Sequence, residues 1–205
     1  MNLGLGNLTI VKAHLQSPAM ALETEFDAAL SLIALGVSGL FERACNRKFA
    51  RTEADIFIVE ADRLQIWLPR APVEIITSIE QQDVLSDGFY TLTPDDVLLN
   101  QDLAKGWLLF TVPFGVSGSL LRITYTGGYY FNTSEEVDLG CPEGQTPVPA
   151  DLQMSWLMQI EHIWSVRDKL GIGLAAKPGE ETKVASAQLI PMVKEILQGY
   201  RRFGP

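Results

Sequence analysis

The chain has 205 residues, 47% hydrophobic and 20% charged, which suits one domain or one domain with a small insertion and excludes a wholly disordered polypeptide. Its formal net charge of −9 argues against tight binding to duplex DNA, because affinity for the phosphate backbone rests on Lys and Arg displacing counterions; an acidic wall instead lets DNA slide past. Two cysteines, Cys45 and Cys141, build neither a disulfide framework nor a zinc cluster and fit a reducing cytoplasm.

The N-terminus has no basic leader before a long apolar core, and no run of about 18 apolar residues is evident, so a soluble protein is expected. Asn7 through Leu15 predict a short helix, since Leu8, Val11 and Leu15 fall on one face, and Ser17-Pro18 ends it. A longer amphipathic helix is expected from about Glu23 to Arg47. Its stripe is Leu22, Phe26, Leu30, Ile33, Val37, Leu40, Phe41 and Ala44, with Thr24 or Asp27 near the start. Gly36 and Gly39 inside it point to close approach of another helix, because glycine there costs about 1 kcal/mol relative to alanine. Cys45 reads as a buried or half-buried thiol. Arg43, Arg47 and Lys48 fall where cations favour a helix C-terminus.

From Thr52 to Thr126 the period shortens to two. Ile56, Ile58, Leu64, Ile66 and Leu68 alternate in two runs around Ala61-Asp62, which predicts a hairpin. Pro69 and Pro72 bracket a turn before a third strand at Val73, Ile75, Ile76 and Ile79. Ser86-Asp87-Gly88 and Thr93-Pro94-Asp95-Asp96 are turn chemistry. Trp107–Val112 and Leu120–Tyr125 complete a small, mainly antiparallel sheet, closed by Gly127-Gly128. Residues 131–149 read as an acidic, proline-rich loop. A helix follows from Pro149, with Leu152, Trp156, Ile160, Ile163 and Trp164 on one face, and Gly171 and Gly173 end it. After a flexible connection at 171–183, a last helix is expected from about Val184 to Arg202, kinked at Pro191.

Little of this carries chemistry. The two histidines are His14 and His162; His162, beside Glu161 and near Asp168, could poise a proton transfer, but no Ser or Cys nucleophile accompanies it, and a surface histidine is the plainer reading. Gly4-Leu5-Gly6-Asn7 lacks the strand, third glycine or GK[ST] of a phosphate loop and reads as a mobile tail. Asp95 and Asp96 lack the spacing of a hard-cation loop. Trp67, Trp107, Trp156 and Trp164 fit core or subunit interface better than a ligand platform. No metal or cofactor is expected. At the C-terminus, Ile196, Leu197 and Tyr200 form a stripe followed by Arg201-Arg202-Phe203, which suits either a partner's groove or packing on the same domain.

Taken together the chain resembles the head–tail connector, or neck adaptor, family of long-tailed bacteriophages. Four stretches carry the resemblance: Leu8–Leu15 with the long helix ending Phe41-Glu42-Arg43-Ala44-Cys45-Asn46-Arg47-Lys48-Phe49; Trp67-Leu68-Pro69-Arg70-Ala71-Pro72-Val73; Ile123 through Tyr129 leading via Val148-Pro149-Ala150-Asp151-Leu152 into a helix; and Leu189-Ile190-Pro191-Met192-Val193 through Arg202. The loop at 131–147 departs from shorter members. The resemblance implies an α+β fold: a helical bundle with an inserted antiparallel β-layer at about 50–130 and a C-terminal helical docking arm at about 184–205. It also implies a non-enzymatic ring under the portal protein, in the virion neck, assembled in the host cytoplasm and passed through by duplex DNA without sequence-specific binding. A further neck or tail-completion protein would be its lower partner. The residues implied to dock into the portal are Leu197, Tyr200, Arg201, Arg202 and Phe203. Alternatives are another neck or tail-completion ring, or a small hydrolase using His162.

Overall fold

A computed structural model of the chain describes residues 3–15, 24–83, 88–111, 118–131, 141–166 and 188–202. In chain order the elements are α1 (Leu8–His14), α2 (Asp27–Cys45), β1 (Thr52–Glu60), β2 (Gln65–Trp67), β3 (Val73–Gln82), β4 (Tyr90–Leu92), α3 (Pro94–Val97), β5 (Leu98–Asp102), β6 (Trp107–Phe110), β7 (Leu120–Gly127), α4 (Ala150–Val166) and α5 (Pro191–Gln198). The fold is an α+β mixture with two antiparallel sheets. It divides into one unit of Met1–Cys45, Phe131–Gly140 and Val148–Arg201, and a second of Asn46–Tyr130, Cys141–Pro147 and Arg202–Pro205.

The first unit is helical. Asn7 caps α1, its side chain accepting from the Ile10 N–H at 2.9 Å, which satisfies one of the orphan donors of the first turn. Asp27 opens α2, four residues later than expected, and its carboxylate meets Lys12 of α1 at 2.5 Å. The buried stripe of α2 (Leu30, Ala34, Val37, Phe41, Cys45) shares a core with Leu152, Trp156, Ile160 and Trp164 of α4. Phe26 packs edge-on against Trp164 with ring centroids 5.6 Å apart.

The glycines behave differently from expectation. A Cβ added at Gly36 or Gly39 would meet nothing within 4 Å, so neither marks a close helix approach. The close approach lies in the segment expected to be a mobile tail. Leu3 and Leu5 are fully buried, and Gly6 sits where a Cβ would fall 2.7 Å from the Trp156 ring. Gly4 adopts φ +96° against Ser38, a conformation that favours glycine. Ser38 Oγ donates to the carbonyl of Leu3 (2.7 Å) or Ala34 (3.0 Å), and accepts from Trp156 Nε1 at 2.9 Å. The tail is therefore part of this core.

Two further expectations are corrected. The last helix does not run through Pro191; Pro191 opens it, at the first position, where no N–H is needed. Residues 188–190 are non-helical and are held by the buried Gln159 amide, which accepts from Ile190 N–H (3.0 Å) and donates to Gln188 C=O (3.2 Å); 184–187 lie outside the described residues. In addition, α2 is long and apolar enough to cross a membrane by length and mean hydropathy (1.4), a candidate that a search for uninterrupted apolar runs passes over.

The second unit is a sandwich of two sheets, ordered β1-β7-β3-β4 and β2-β6-β5, where one sheet was expected. The anticipated hairpin at Ala61-Asp62 does not form. β1 pairs with β7, and β2 pairs with β6 in the other sheet. Ala61 is buried in the core between the sheets and its N–H donates to Ser119 C=O at 2.9 Å, so the chain crosses layers there. Alternation predicts that a strand has one inner face; it does not say which layer that face belongs to. Inner faces contribute Ile66, Leu108 and Phe110 from the smaller sheet and Val73, Ile79, Leu121, Ile123 and Tyr125 from the larger. Thr93–Asp96 is the start of the short α3, not a plain turn.

Two glycine substitutions separate these contacts. Gly6→Ala should cost about 1–3 kcal/mol by forcing the Trp156 ring to move, whereas Gly36→Ala should be stabilising by up to about 1 kcal/mol. Urea unfolding of the purified chains checks both, and equal effects would contradict the packing described.

Candidate interaction surface

The C-terminal residues that the sequence singles out are not gathered on one face. Leu197 lies on the inner side of α5 with Val193, and both are buried. Its carbonyl accepts from the Cys45 thiol at 3.5 Å. Tyr200 donates its hydroxyl to Asp151 Oδ1, in the first turn of α4, at 2.6 Å. Arg201 is exposed. Phe203 lies outside the described residues. Of the two readings that periodicity leaves open for the stripe, α5 packs on its own unit.

Arg202 belongs to the second unit and inserts its guanidinium among backbone carbonyls. Nη2 donates to Lys105 C=O at 2.8 Å, and Nη1 donates to Leu68 C=O. Burial, and then the like charge of Arg47, pushes its pKa down to about 10, so it stays protonated at neutral pH. Leu68 begins the passage Leu68–Val73, which contains the cis Ala71–Pro72 bond and on which arginines converge. Arg47 donates to Ala71 C=O while stacking 5.0 Å from the Phe49 ring and 5.6 Å from Tyr129. Arg70 is buried, pairs with Asp55 at 2.9 Å and donates to Ala50 C=O. The Tyr125 hydroxyl accepts from Arg70 N–H at 3.2 Å and faces Asp55 Oδ2 at 3.4 Å; burial first, then Asp55, raises its pKa well above the ordinary phenol value. Carbonyls in a tight proline passage cannot all reach a ladder partner, and guanidinium forks are the donors that reach several at once.

The remaining candidates separate cleanly. Glu161, the carboxylate expected beside His162, is paired with His14 at 3.1 Å instead, because adjacent helix positions point about 100° apart. Asp168 lies outside the described residues, and so do Ser86 and Asp87. Among the described residues no group of three or more His, Cys, Asp or Glu could hold a metal ion. Trp156 and Trp164 are core. Trp67 and Trp107 stand on the outer face of the smaller sheet with centroids 6.4 Å apart, lining a depression of about 530 Å³ with Asn100, Gln101, Asp102 and Lys105. Cys45 is buried and Cys141 exposed, and neither is in a disulfide.

Sequence reasoning missed two exposed apolar faces. One is the outer side of α2, where Leu32 and Leu35 are exposed beside Ala28, Ala29 and Gly36. The other is the outer side of the larger sheet, with Ile56, Ile58 and Ile75 exposed. A signal existed for each: α2 carries apolar residues on more than one stripe, and β1 carries isoleucine where alternation calls for polar residues.

No protein-family model matches the chain, and no curated protein matches it. Solved structures do. A chain from the neck of an empty gene transfer agent (GTA) particle, computed with C6 symmetry, aligns at TM-score 0.59 and 16% identity, covering 96% of this chain and 89% of that one. A chain from the virion of a native GTA particle aligns at 0.58 and 18% identity over 96% and 89%. One from the neck of a native GTA particle computed with C12 symmetry aligns at 0.52 and 17% identity, over 87% and 84%. This chain therefore shares its fold with chains of those particles nearly end to end, in agreement with the resemblance to neck adaptors at the level of the fold.

The two terminal arginines should differ in stability effect. Arg202→Ala should lower stability by about 1–3 kcal/mol by leaving the carbonyl of the buried Leu68 without this donor, while Arg201→Ala should stay within about 0.5 kcal/mol. Denaturant titration of both variants gives the comparison.

Proposed function

We propose that this chain is a structural adaptor of a phage-type virion neck. It forms a ring beneath the portal protein, receives the next neck or tail-completion protein below, and leaves a channel for duplex DNA. The observation that carries this reading is the length-wide fold likeness to chains in GTA necks, whose C6 and C12 symmetries fit a cyclic arrangement. A non-catalytic role is supported by the residues: Glu161 is turned to His14 rather than His162, and the polar clusters described are structural ion pairs. The net charge of −9 supports passage of DNA over retention of it.

The portal contact is assigned to the chain end. Because Val193 and Leu197 are buried in the first unit, the side chains offered to the portal are those beyond α5, with Arg201 and Phe203 foremost and Tyr200 and Arg202 setting the exit direction. Leu197 holds α5 in place.

Removing residues 203–205 and introducing Arg201→Glu should leave a folded chain that no longer co-sediments with purified portal rings, whereas cutting at Leu189 would also strip the core of α5. Undiminished portal binding by the doubly altered chain would remove the docking assignment. Microscopy of particles should place the chain directly below the portal; a position lower in the tail would favour a tail-completion ring. The intact chain should not retard duplex DNA at about 0.15 M salt.

A further inference from the structure

Two faces of this chain expose several large apolar side chains. On α2, Leu32 is 71% and Leu35 39% exposed, with Ala28, Ala29 and Gly36 exposed between them. Only a third of the most apolar window of this helix is buried, against a mean hydropathy of 1.4. On the larger sheet, Ile56 (59%) and Ile58 (51%) of β1 and Ile75 (59%) of β3 share the outer face with Thr124 of β7. The charges within that sheet face are neutralised, since Arg122 and Glu80 pair across β7 and β3. Large apolar side chains grouped on one face mark a site that something covers.

We infer that these faces are the two halves of one contact between neighbouring copies: the Ile56–Ile58–Ile75 face of one copy seats on the outer face of α2 of the next. The inference rests on the ring reading above and names its interface. A closed ring of more than two copies needs a heterologous contact, in which each chain offers two different surfaces. One of these faces lies in the helical unit and the other in the β unit, so every chain carries both halves.

Shape and charge agree with the pairing. The small residues Ala28, Ala29 and Gly36 leave α2 low on that side, so a sheet face can approach with isoleucines flanking Leu32 and Leu35. Beyond the isoleucines β1 ends in exposed Glu60, on the same face as Ile56 and Ile58; beyond the leucines α2 ends in exposed Arg43. Ile56 to Glu60 spans about 13 Å of strand, and Leu35 to Arg43 spans about 12 Å of helix. Apolar contact and ion pair therefore coincide in one register. The Trp67–Trp107 surface is a poorer match for α2, because Asn100, Gln101, Asp102 and Lys105 rim it. A membrane is also a poorer occupant. The other side of α2 is built into the core through Leu30, Val37 and Phe41, and a chain of net charge −9 is repelled by anionic lipid.

Sedimentation velocity of the intact chain, from micromolar to about 1 mM, tests this. The unaltered chain should form a ring-sized species, while Leu32→Asp and Ile56→Asp should each remain monomeric with unchanged circular dichroism. Mixed in equal amounts, the two variants retain one intact half each and should stop at a heterodimer. Independently, Arg43→Glu and Glu60→Arg should each weaken association about tenfold, and a chain carrying both should recover it. Rings from either aspartate variant, a mixture that stays monomeric, or no recovery in the charge-swapped chain would overturn the pairing while leaving the ring reading intact. An unaltered chain monomeric throughout, and still monomeric when added to purified portal rings, would overturn both. Co-sedimentation with phosphatidylserine vesicles that is lost in Leu32→Asp would overturn the pairing in favour of a lipid-facing α2.

Discussion

Arginine side chains hold the passage Leu68–Val73, and the second unit is organised around them. Arg202 reaches Leu68 C=O, Arg47 reaches Ala71 C=O, and Arg70, at the centre of the passage, pairs with Asp55 and donates to Ala50 C=O. The passage connects β2 of the smaller sheet to β3 of the larger, so its conformation sets how one layer lies on the other. Gly127 and Gly128 close against it, where a Cβ would fall 2.7 Å from Pro72 C=O or 2.6 Å from Ala50 C=O. A guanidinium is suited to such a place because it stays charged and presents several donors in a fixed plane.

The helical unit solves a comparable problem with a neutral network. Trp156, Ser38 and the Leu3 carbonyl form a buried chain of hydrogen bonds, and Gly4 and Gly6 let the N-terminal backbone lie close enough to complete it. Gln159 does the same for residues 188–190. In each case a polar side chain on a core helix satisfies the backbone of a segment with no secondary structure of its own, which is the condition for burying such a segment at all. Residues 3–7 and 188–190 are thereby made part of the helical unit.

Among the described residues several carboxylates are engaged in ion pairs, such as Arg51–Glu74 and Lys12–Asp27. The chain also exposes aliphatic side chains on α2 and on the outer side of the larger sheet, the kind of surface that subunit contacts bury.

The sequence by itself determined most of the longer elements. Apolar spacing located α1, α2 and α4, alternation located β1, β3 and β7, and the Gly127-Gly128 pair marked the end of β7 because glycine effects act within a few residues; the short β4, α3 and β5 and the role of Pro191 as a helix start were not legible. Tertiary structure decided the rest. Periodicity could not say that β1 and β2 belong to different sheets, that Leu3 and Leu5 are core, that Gly6 rather than Gly36 is the close contact, or that Leu197 faces inward. Each of those depends on a partner far away along the chain, such as Trp156 for Gly6 or Leu68 for Arg202, and local spacing carries no information about which distant residue arrives.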